Sequence, residues 1–266
     1  MNNPYLKHLR DYHITLSDLQ GQAFQIGTYL KNYTKTLLKR PPGEDYLLST
    51  LYFTDITSTE EGRFFPRDYY ISNNDNVEEF VADILVMVNN AIIAHSYERF
   101  ISFLKDVITE ILLRDRTIAE PSVKFSPTEE LDFKTVREKL NEVRMKNTDR
   151  LRVLRQYSAE YKKYETQNNY RINFCEWLDA VTKARDAITH SSSLIDKSTV
   201  EGLGPNKLKS LELYFQLQEL DDEYRLISEI DDVRHFIRNC SEFSFLVFKS
   251  LSMKDNYEWS VYEIRK

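Results

Sequence analysis

The sequence predicts an all-α protein, an antiparallel helical bundle with a small β-hairpin insertion and an extra helix at its N-terminus. Long stretches repeat apolar residues at three- and four-residue steps, as a helix with one buried face does. Only 6 glycines and 7 prolines occur in 266 residues, so residues that favour tight turns are scarce. The 17 tyrosines and 15 phenylalanines are numerous enough to dominate the packing of a large core.

The N-terminal part predicts one helix and a connector. Ser17 and Gln20 match a capping box, so we expect a helix from Ser17 to about Lys39 that stops before two prolines. Residues 43–74 lack a clear period and predict an irregular connector with one short element. We therefore divide the chain into residues 1–74, an N-terminal helix and connector, and residues 75–266, the bundle.

The longest predicted helix begins at Asp75, an N-cap residue with Glu78 at the third helical position. Its apolar residues recur at helical spacing as far as Leu112. At 1.5 Å per residue such a helix is roughly 55–60 Å long. We expect it to be the spine of the fold.

Two more helical regions follow. The pattern Ser126-Pro127-Thr128-Glu129 predicts a helix start. That helix is expected to break near Asn147-Thr148 and to resume as far as Tyr164. After the polar residues 167–169, an apolar stripe with Trp177 predicts a helix that ends at His190.

The C-terminal part combines a loop, a hairpin and a last helix. Residues 191–207 are polar and contain two glycines, which predicts a loop. Apolar residues alternate with polar ones from Leu211 to Leu217, so we expect a β-hairpin at about 210–228. The last helix is predicted from Asp231 to about Leu251.

Composition limits the function classes. The net charge of −6 argues against a protein that coats nucleic acid non-specifically, although it permits a small basic groove. Two cysteines are too few for a disulfide framework, and the N-terminus shows no signal-peptide pattern. The longest apolar run, Ile84 to Ala94, is too short to span a bilayer. We expect a cytoplasmic protein without a membrane partner.

The most informative segment is Arg185-Asp186-Ala187-Ile188-Thr189-His190. An arginine always carries its charge, and a histidine exchanges a proton near neutral pH. Together they supply a cation for a phosphate and a proton shuttle, which is much of what metal-free RNA cleavage needs. With 18 arginines and 5 histidines in the chain, such a pair is expected about once by chance. Its place at a helix end, before three serines, gives it weight.

These residues resemble the signature of the HEPN superfamily, in which an arginine, a polar residue and a histidine follow one another at the end of the third bundle helix. Arg185, Asp186 and His190 match it in order. The long helix with His95, Tyr97 and Glu98 looks like the family's first helix. The likeness covers about residues 75–252 as a pattern of helices.

The resemblance implies a metal-independent endoribonuclease of toxin or phage-defence type, without a cofactor, that pairs two motifs across a homodimer. It implies that His190 moves protons at the ribose 2′-hydroxyl and the leaving oxygen, that Arg185 binds the scissile phosphate, and that Asp186 orients the histidine or the partner's arginine. An antitoxin or another defence-system protein is an expected partner. The family often has Asn where Asp186 stands, and Ser192 replaces a tyrosine that some members carry.

Further candidates surround the motif. A basic run with interleaved tyrosines predicts RNA contacts by Arg150, Arg152, Arg155 and Lys162, although such runs are more often the exposed face of a helix. His95 and Glu98 are candidates to support the catalytic residues, and a core or half-buried structural histidine is the alternative for His95. For the whole chain, the alternative function is a non-catalytic helical module that binds a protein or a nucleotide.

Overall fold

The computed structural model describes residues 3–41, 47–49, 70–72, 76–119, 123–125, 131–143, 145–169 and 171–260. The described chain is predominantly helical and has two small antiparallel sheets. It forms two compact units, residues 24–88 and residues 1–23 with 89–266. The predicted spine helix is present as α2.

The N-terminal half contains these elements: α1, Pro4–Leu37; β1, Leu47–Ser49; β2, Tyr70–Ser72; α2, Val77–Leu112; a 3₁₀ turn, Arg116–Ala119; and α3, Phe133–Glu142. The C-terminal half contains α4, Asn147–Tyr157; α5, Ala159–Tyr164; α6, Phe174–His190; β3, Leu194–Asp196; α7, Lys197–Glu201; α8, Pro205–Glu212; β4, Gln216–Glu219; β5, Glu223–Ile227; and α9, Ile230–Lys254.

The unit of residues 24–88 has a small apolar core. Leu37, Val77 and Val81 are buried, and partly buried side chains pack around them: Leu30, Tyr33, Phe80 and Leu85. The predicted connector contains two short strands rather than one short element, because β1 and β2 pair with each other; they run antiparallel, with Leu48 opposite Ile71. The predicted N-cap Asp75 lies outside the described residues.

The larger unit is built around aromatic side chains of α6 and α9. The ring of Phe243 lies 4.3 Å from that of Phe174 and 4.7 Å from that of Trp177. Phe236 and Phe100 also contact the Trp177 ring. Because close-packed aromatic pairs contribute beyond their buried area, this cluster fixes α6 firmly between α2 and α9.

The N-terminal helix starts earlier than predicted. It begins at Pro4, a residue well suited to a first helical position, and the Asn3 side chain accepts a hydrogen bond from the Tyr5 N–H. Tyr5 and Leu9 are fully buried, so the apolar stripe already runs through residues that we assigned to no element. The prediction of a start at Ser17 was therefore wrong, because tertiary packing extends the helix past the local capping pattern.

The region after α2 has more helix ends than predicted. Asp132 caps α3 by accepting from the Thr135 N–H, whereas the predicted start at 126–129 lies outside the described residues. A second interruption, at Ser158, separates α4 from α5. The Ser158 hydroxyl accepts from the Tyr161 N–H and donates to the Ser250 carbonyl, so a buried tertiary contact ends α4.

The predictions for residues 191–215 need correction. The expected loop at 191–207 contains β3, α7 and the start of α8, and Leu211 is helical rather than extended. The hairpin is present but shorter, β4 and β5, and β3 joins it to give the order β3-β5-β4. Leu211 in the last turn of α8 and Tyr214 in the turn that follows it are both buried, whereas the alternation at 211–217 predicted an extended chain there.

Candidate active site

The Arg185–His190 motif forms the last turns of α6. The N-cap of this helix is Asn173, whose side chain accepts from the N–H groups of Cys175 and Glu176. Its buried face includes Trp177, Val181 and Ala184. That face anchors the helix, so Arg185 and His190 project from a fixed backbone.

Arg185 is held by two carboxylates. Its guanidinium forms an ion pair with Glu98 of α2 and donates to Asp186 at 2.6 Å. It also lies 5.9 Å from the centre of the Tyr97 ring. Partial burial lowers the pKa of Arg185, but the hydrogen bonds to Glu98 and Asp186 outweigh it and the net pKa is raised. The arginine is therefore a permanent, oriented cation.

His190 is the last residue of α6, and its side chain is exposed. Within the described part of the chain its ring has no hydrogen-bond partner. The helix continues through the whole motif, so the Arg185 and His190 side chains leave the helix axis about 140° apart. Asp186 is one turn before His190 and only about 40° from it. In a single chain, the arginine and the histidine face different directions.

The turn after His190 is strained and tightly held. Ser192 and Ser193 have φ angles of 51° and 69°, a left-handed conformation that non-glycine residues seldom adopt. The Ser191 and Ser193 N–H groups both donate to the Ala187 carbonyl. Asn90 of α2 donates to the Ser193 hydroxyl at 2.9 Å. Strain of this kind persists only where its surroundings enforce it, and it clusters at functional sites.

A polar network lies beside Arg185. The Tyr97 hydroxyl and the Thr182 hydroxyl are 2.7 Å apart, and the Asn147 amide donates to both. Arg150 in turn donates to the side-chain oxygen of Asn147, Oδ1. Burial is the main cause that raises the pKa of Tyr97, against the effects of Arg150 and Arg185. Both arginines therefore act electrostatically on Tyr97.

Arg150 is an unusual residue because its side chain is buried, with 8% of the residue exposed. Among the described residues no carboxylate lies within ion-pair distance of it, and its Nε atom is buried without a hydrogen-bond partner. Burial lowers its pKa. An uncompensated buried guanidinium costs folding free energy, and it leaves local positive potential.

Two further cations extend this region along α2 and α3. Lys105 donates to Asn141, and Arg137 donates to Asp106 at 2.5 Å. The pKa of Lys105 is lowered by burial first, and then by Arg150 and Arg137. We call Lys105, Arg137, Arg150 and Arg185 the cation cluster. Three carboxylates stand against these four cations: Glu98, Asp106 and Asp186.

The four residues of the predicted basic run have different surroundings. Arg150 belongs to the cation cluster. Arg152 lies 3.6 Å from Asp149, and Arg155 donates to the buried Glu165. Lys162 is exposed on α5. Because α4 and α5 are separate helices, the run is not one continuous helical face.

The two residues predicted to support the catalytic residues, Glu98 and His95, also have different surroundings. Glu98 contacts Arg185, whereas His95 is exposed and its ring accepts a hydrogen bond from Arg99 of the same helix. Sequence reasoning missed Lys105 and Arg137. The sequence does contain an indication for Lys105, because Glu98 and Lys105 are seven residues apart and therefore share a helix face.

The described residues contain neither a candidate metal site nor a candidate membrane-spanning helix. No group of three or more His, Cys, Asp or Glu side chains is placed to hold a metal ion there. No helix in the described ranges has both the length and the apolar character that crossing a membrane requires. The chain matched no protein-family model, no curated protein and no solved structure in our comparisons.

Proposed function

We propose that this chain is a metal-independent endoribonuclease that acts as a homodimer, with Arg185 of one copy and His190 of another at each cleavage site. The observation that carries the proposal is the difference between the two side chains of the motif. Arg185 is oriented by Glu98 and Asp186, whereas His190 is exposed and has no partner among the described residues.

The chemistry follows from the two side chains. The imidazole of His190 takes the proton of a ribose 2′-hydroxyl, and the 2′-oxygen attacks the adjacent phosphorus. The bond from phosphorus to the 5′-oxygen breaks, and that oxygen receives the proton that the His190 imidazole took up. The products are a 2′,3′-cyclic phosphate and a 5′-hydroxyl end. Arg185 stabilises the charge that grows on the phosphoryl oxygens.

The angle between the two side chains favours a site shared by two copies. Because they diverge by about 140° on one helix, a phosphate at Arg185 and a 2′-hydroxyl at His190 of the same chain would point apart. A two-fold axis near the end of α6 would bring the histidine of each copy towards the arginine of the other. Asp186, next to both, is placed to orient either.

The cation cluster supports RNA as the substrate. Lys105 and Arg150 have no carboxylate within ion-pair distance among the described residues. Both interact electrostatically with Glu98, the α2 carboxylate that pairs with Arg185. A localised group of cations on an acidic chain draws phosphates to one place rather than to the whole surface.

The test is cleavage of a fluorescently labelled RNA by the purified chain in the presence of EDTA. We expect cyclic-phosphate ends and a loss of about 10²–10⁴-fold in rate for His190→Ala. Arg185→Ala is expected to lose about 10²–10³-fold. Arg10→Ala, which changes an exposed arginine on α1, is the matched control.

The proposal fails if cleavage by the double variant Arg185→Ala, His190→Ala equals that of the unmodified chain. It also fails if the activity disappears with EDTA and returns with a metal ion. A toxin or defence role, which the resemblance implies, predicts growth arrest on overexpression that depends on His190.

A further inference from the structure

A cavity of about 410 Å³ lies between the start of α6, α8 and α9. Its volume is in the range of small-molecule sites, about 300–1,000 Å³. Its wall includes two apolar and two polar side chains: Ile172, Leu213, His235 and Asn239. Because His235 and Asn239 are four residues apart on α9, they lie on the same face of that helix. The cavity therefore combines an apolar wall with one pair of polar groups.

The orientation of the Asn239 amide follows from its contact with Tyr214. The amide lies 2.5 Å from the Tyr214 hydroxyl oxygen, and the Trp177 indole nitrogen lies 2.8 Å from the same oxygen. An indole N–H can only donate, so the phenolic proton needs an acceptor, and among the described residues only the Asn239 amide is within reach. A separation of 2.5 Å also suits an O–H···O bond better than an N–H···O bond. The amide oxygen therefore faces Tyr214, and the NH₂ group faces away from it.

The NH₂ group of Asn239 is a donor that opens into the cavity. Asn239 is buried, with 2% of the residue exposed, and this group has no hydrogen-bond partner in the described part of the chain. It is not among the unpartnered side-chain atoms that are sealed from solvent, and Asn239 lines the cavity. A buried donor without a partner costs free energy, which a carbonyl oxygen of a ligand would restore.

The His235 ring supplies an acceptor beside that donor. Its edge-on contact with the Tyr214 ring, at 5.5 Å between ring centres, holds its orientation. Burial lowers the pKa of His235, and Arg238 lowers it further. Asp232 and Glu242 oppose this effect without reversing it, so the ring is neutral near pH 7. A neutral imidazole has one acceptor nitrogen, and neither ring nitrogen has a hydrogen-bond partner within the described ranges.

We propose that this cavity binds a small neutral heterocycle with a lactam group, in which a ring C=O and a ring N–H are neighbours. The Asn239 NH₂ group donates to the carbonyl oxygen, and the ring N–H donates to the unprotonated nitrogen of His235. Hypoxanthine and uracil have such an edge, whereas adenine and cytosine carry an amino group in place of that carbonyl and have no ring N–H beside it. The site is independent of the proposed nuclease site, because the two share no side chain.

Isothermal titration calorimetry on the full chain tests this with two pairs of nucleosides, inosine against adenosine and uridine against cytidine. In at least one pair the lactam member is expected to bind about tenfold more tightly than its match. His235→Phe keeps a ring against Tyr214 and removes the acceptor, so the lactam member is expected to bind only as tightly as its match. Asn239→Asp keeps an acceptor for Tyr214 but turns a second acceptor towards the cavity, so the preference is expected to reverse.

Asn32→Asp is the matched control, since it makes the same substitution at an exposed position of α1, and its affinities are expected to equal those of the unmodified chain. Melting curves confirm that each variant is folded, and His235→Phe decides alone if Asn239→Asp does not fold. The proposal is overturned if no nucleoside binds at about 10 mM, or if the two members of each pair bind equally tightly. It is also overturned if either folded variant, His235→Phe or Asn239→Asp, keeps the preference of the unmodified chain.

Discussion

At the scale of single residues, the candidate site combines satisfied and unsatisfied cations. Arg185 has two carboxylate partners, so little free energy is lost by its partial burial. Arg150 has only the Asn147 carbonyl oxygen as a partner, and its Nε atom has none. This cost is the reason why we propose a role for Arg150 in RNA binding rather than in the core.

Replacing this arginine tests that assignment. Arg150→Met keeps much of the side-chain volume and removes the buried charge, so we expect the free energy of unfolding to stay equal or to rise by about 1 kcal/mol. RNA affinity is expected to fall several-fold, because a cation close to the substrate is lost. Urea unfolding and RNA titration give the two values. A loss of stability above about 2 kcal/mol would instead make Arg150 a structural residue.

At the scale of elements, the end of α6 decides how the motif is presented. Asn90 donates to the Ser193 hydroxyl and to the Leu226 carbonyl, and it accepts from Ser228. One buried amide of α2 therefore ties the turn after His190 to the sheet. The positive φ angles of this turn are maintained by these tertiary bonds.

Glycine substitutions at neighbouring serines measure the strain. Ser192 has a φ of 51°, whereas Ser191 has a φ of −132°, and both are exposed. Ser192→Gly relieves the left-handed strain, while Ser191→Gly only adds entropy to the unfolded chain. We expect Ser192→Gly to be more stable than Ser191→Gly by about 1 kcal/mol. Equal melting temperatures of the two variants would show that the turn is unstrained.

The elements also show what the sequence can and cannot predict. The α2, α6 and α9 helices have long apolar stripes and were predicted to within a few residues. The start of α1 and the break at Ser158 were not, since both depend on contacts with distant parts of the chain: Tyr5 donates to Asp255, and Ser158 donates to the Ser250 carbonyl. The α8 helix was missed because its first residues contain a glycine–proline pair that predicts a loop, and because Leu211 belongs to an alternating run that predicts a strand.

The same distinction holds for the site. Sequence reasoning named Arg185, Asp186, His190 and Glu98 from a short motif and a neighbouring helix. It could not show that Glu98 pairs with Arg185, because 87 residues separate them. Nor could it distinguish the buried Arg150 from the exposed Lys162, since burial is a property of the assembled helices.

At the scale of the whole molecule, the first turns of α1 pack against α9 through a histidine. One ring nitrogen of His13 lies 3.0 Å from the Ser244 hydroxyl oxygen, and burial lowers the pKa of His13 despite a hydrogen bond to the Ser241 backbone. The folded state therefore binds a proton less readily than the unfolded state, in which a histidine has a pKa of about 6.5.

This difference gives stability a pH dependence. The contribution of His13 is complete above about pH 6.5 and is lost as the pH falls below it, because the unfolded chain gains the proton first. We expect the melting temperature to drop between about pH 7.5 and 5.5, and the drop to be smaller in His13→Gln. Melting curves of both proteins across this pH range test the prediction. Identical drops in melting temperature would exclude His13 as a cause of the pH dependence.

In the proposed mechanism, each cleavage site takes its arginine from one copy and its histidine from another. Mixing two inactive variants, Arg185→Ala and His190→Ala, under conditions that exchange subunits tests it most directly. A mixed dimer then holds one complete site and one empty site, and half of the dimers are mixed. We predict recovery of about a quarter of the unmodified activity. A mixture that stays inactive while size-exclusion chromatography shows mixed dimers would contradict the shared site.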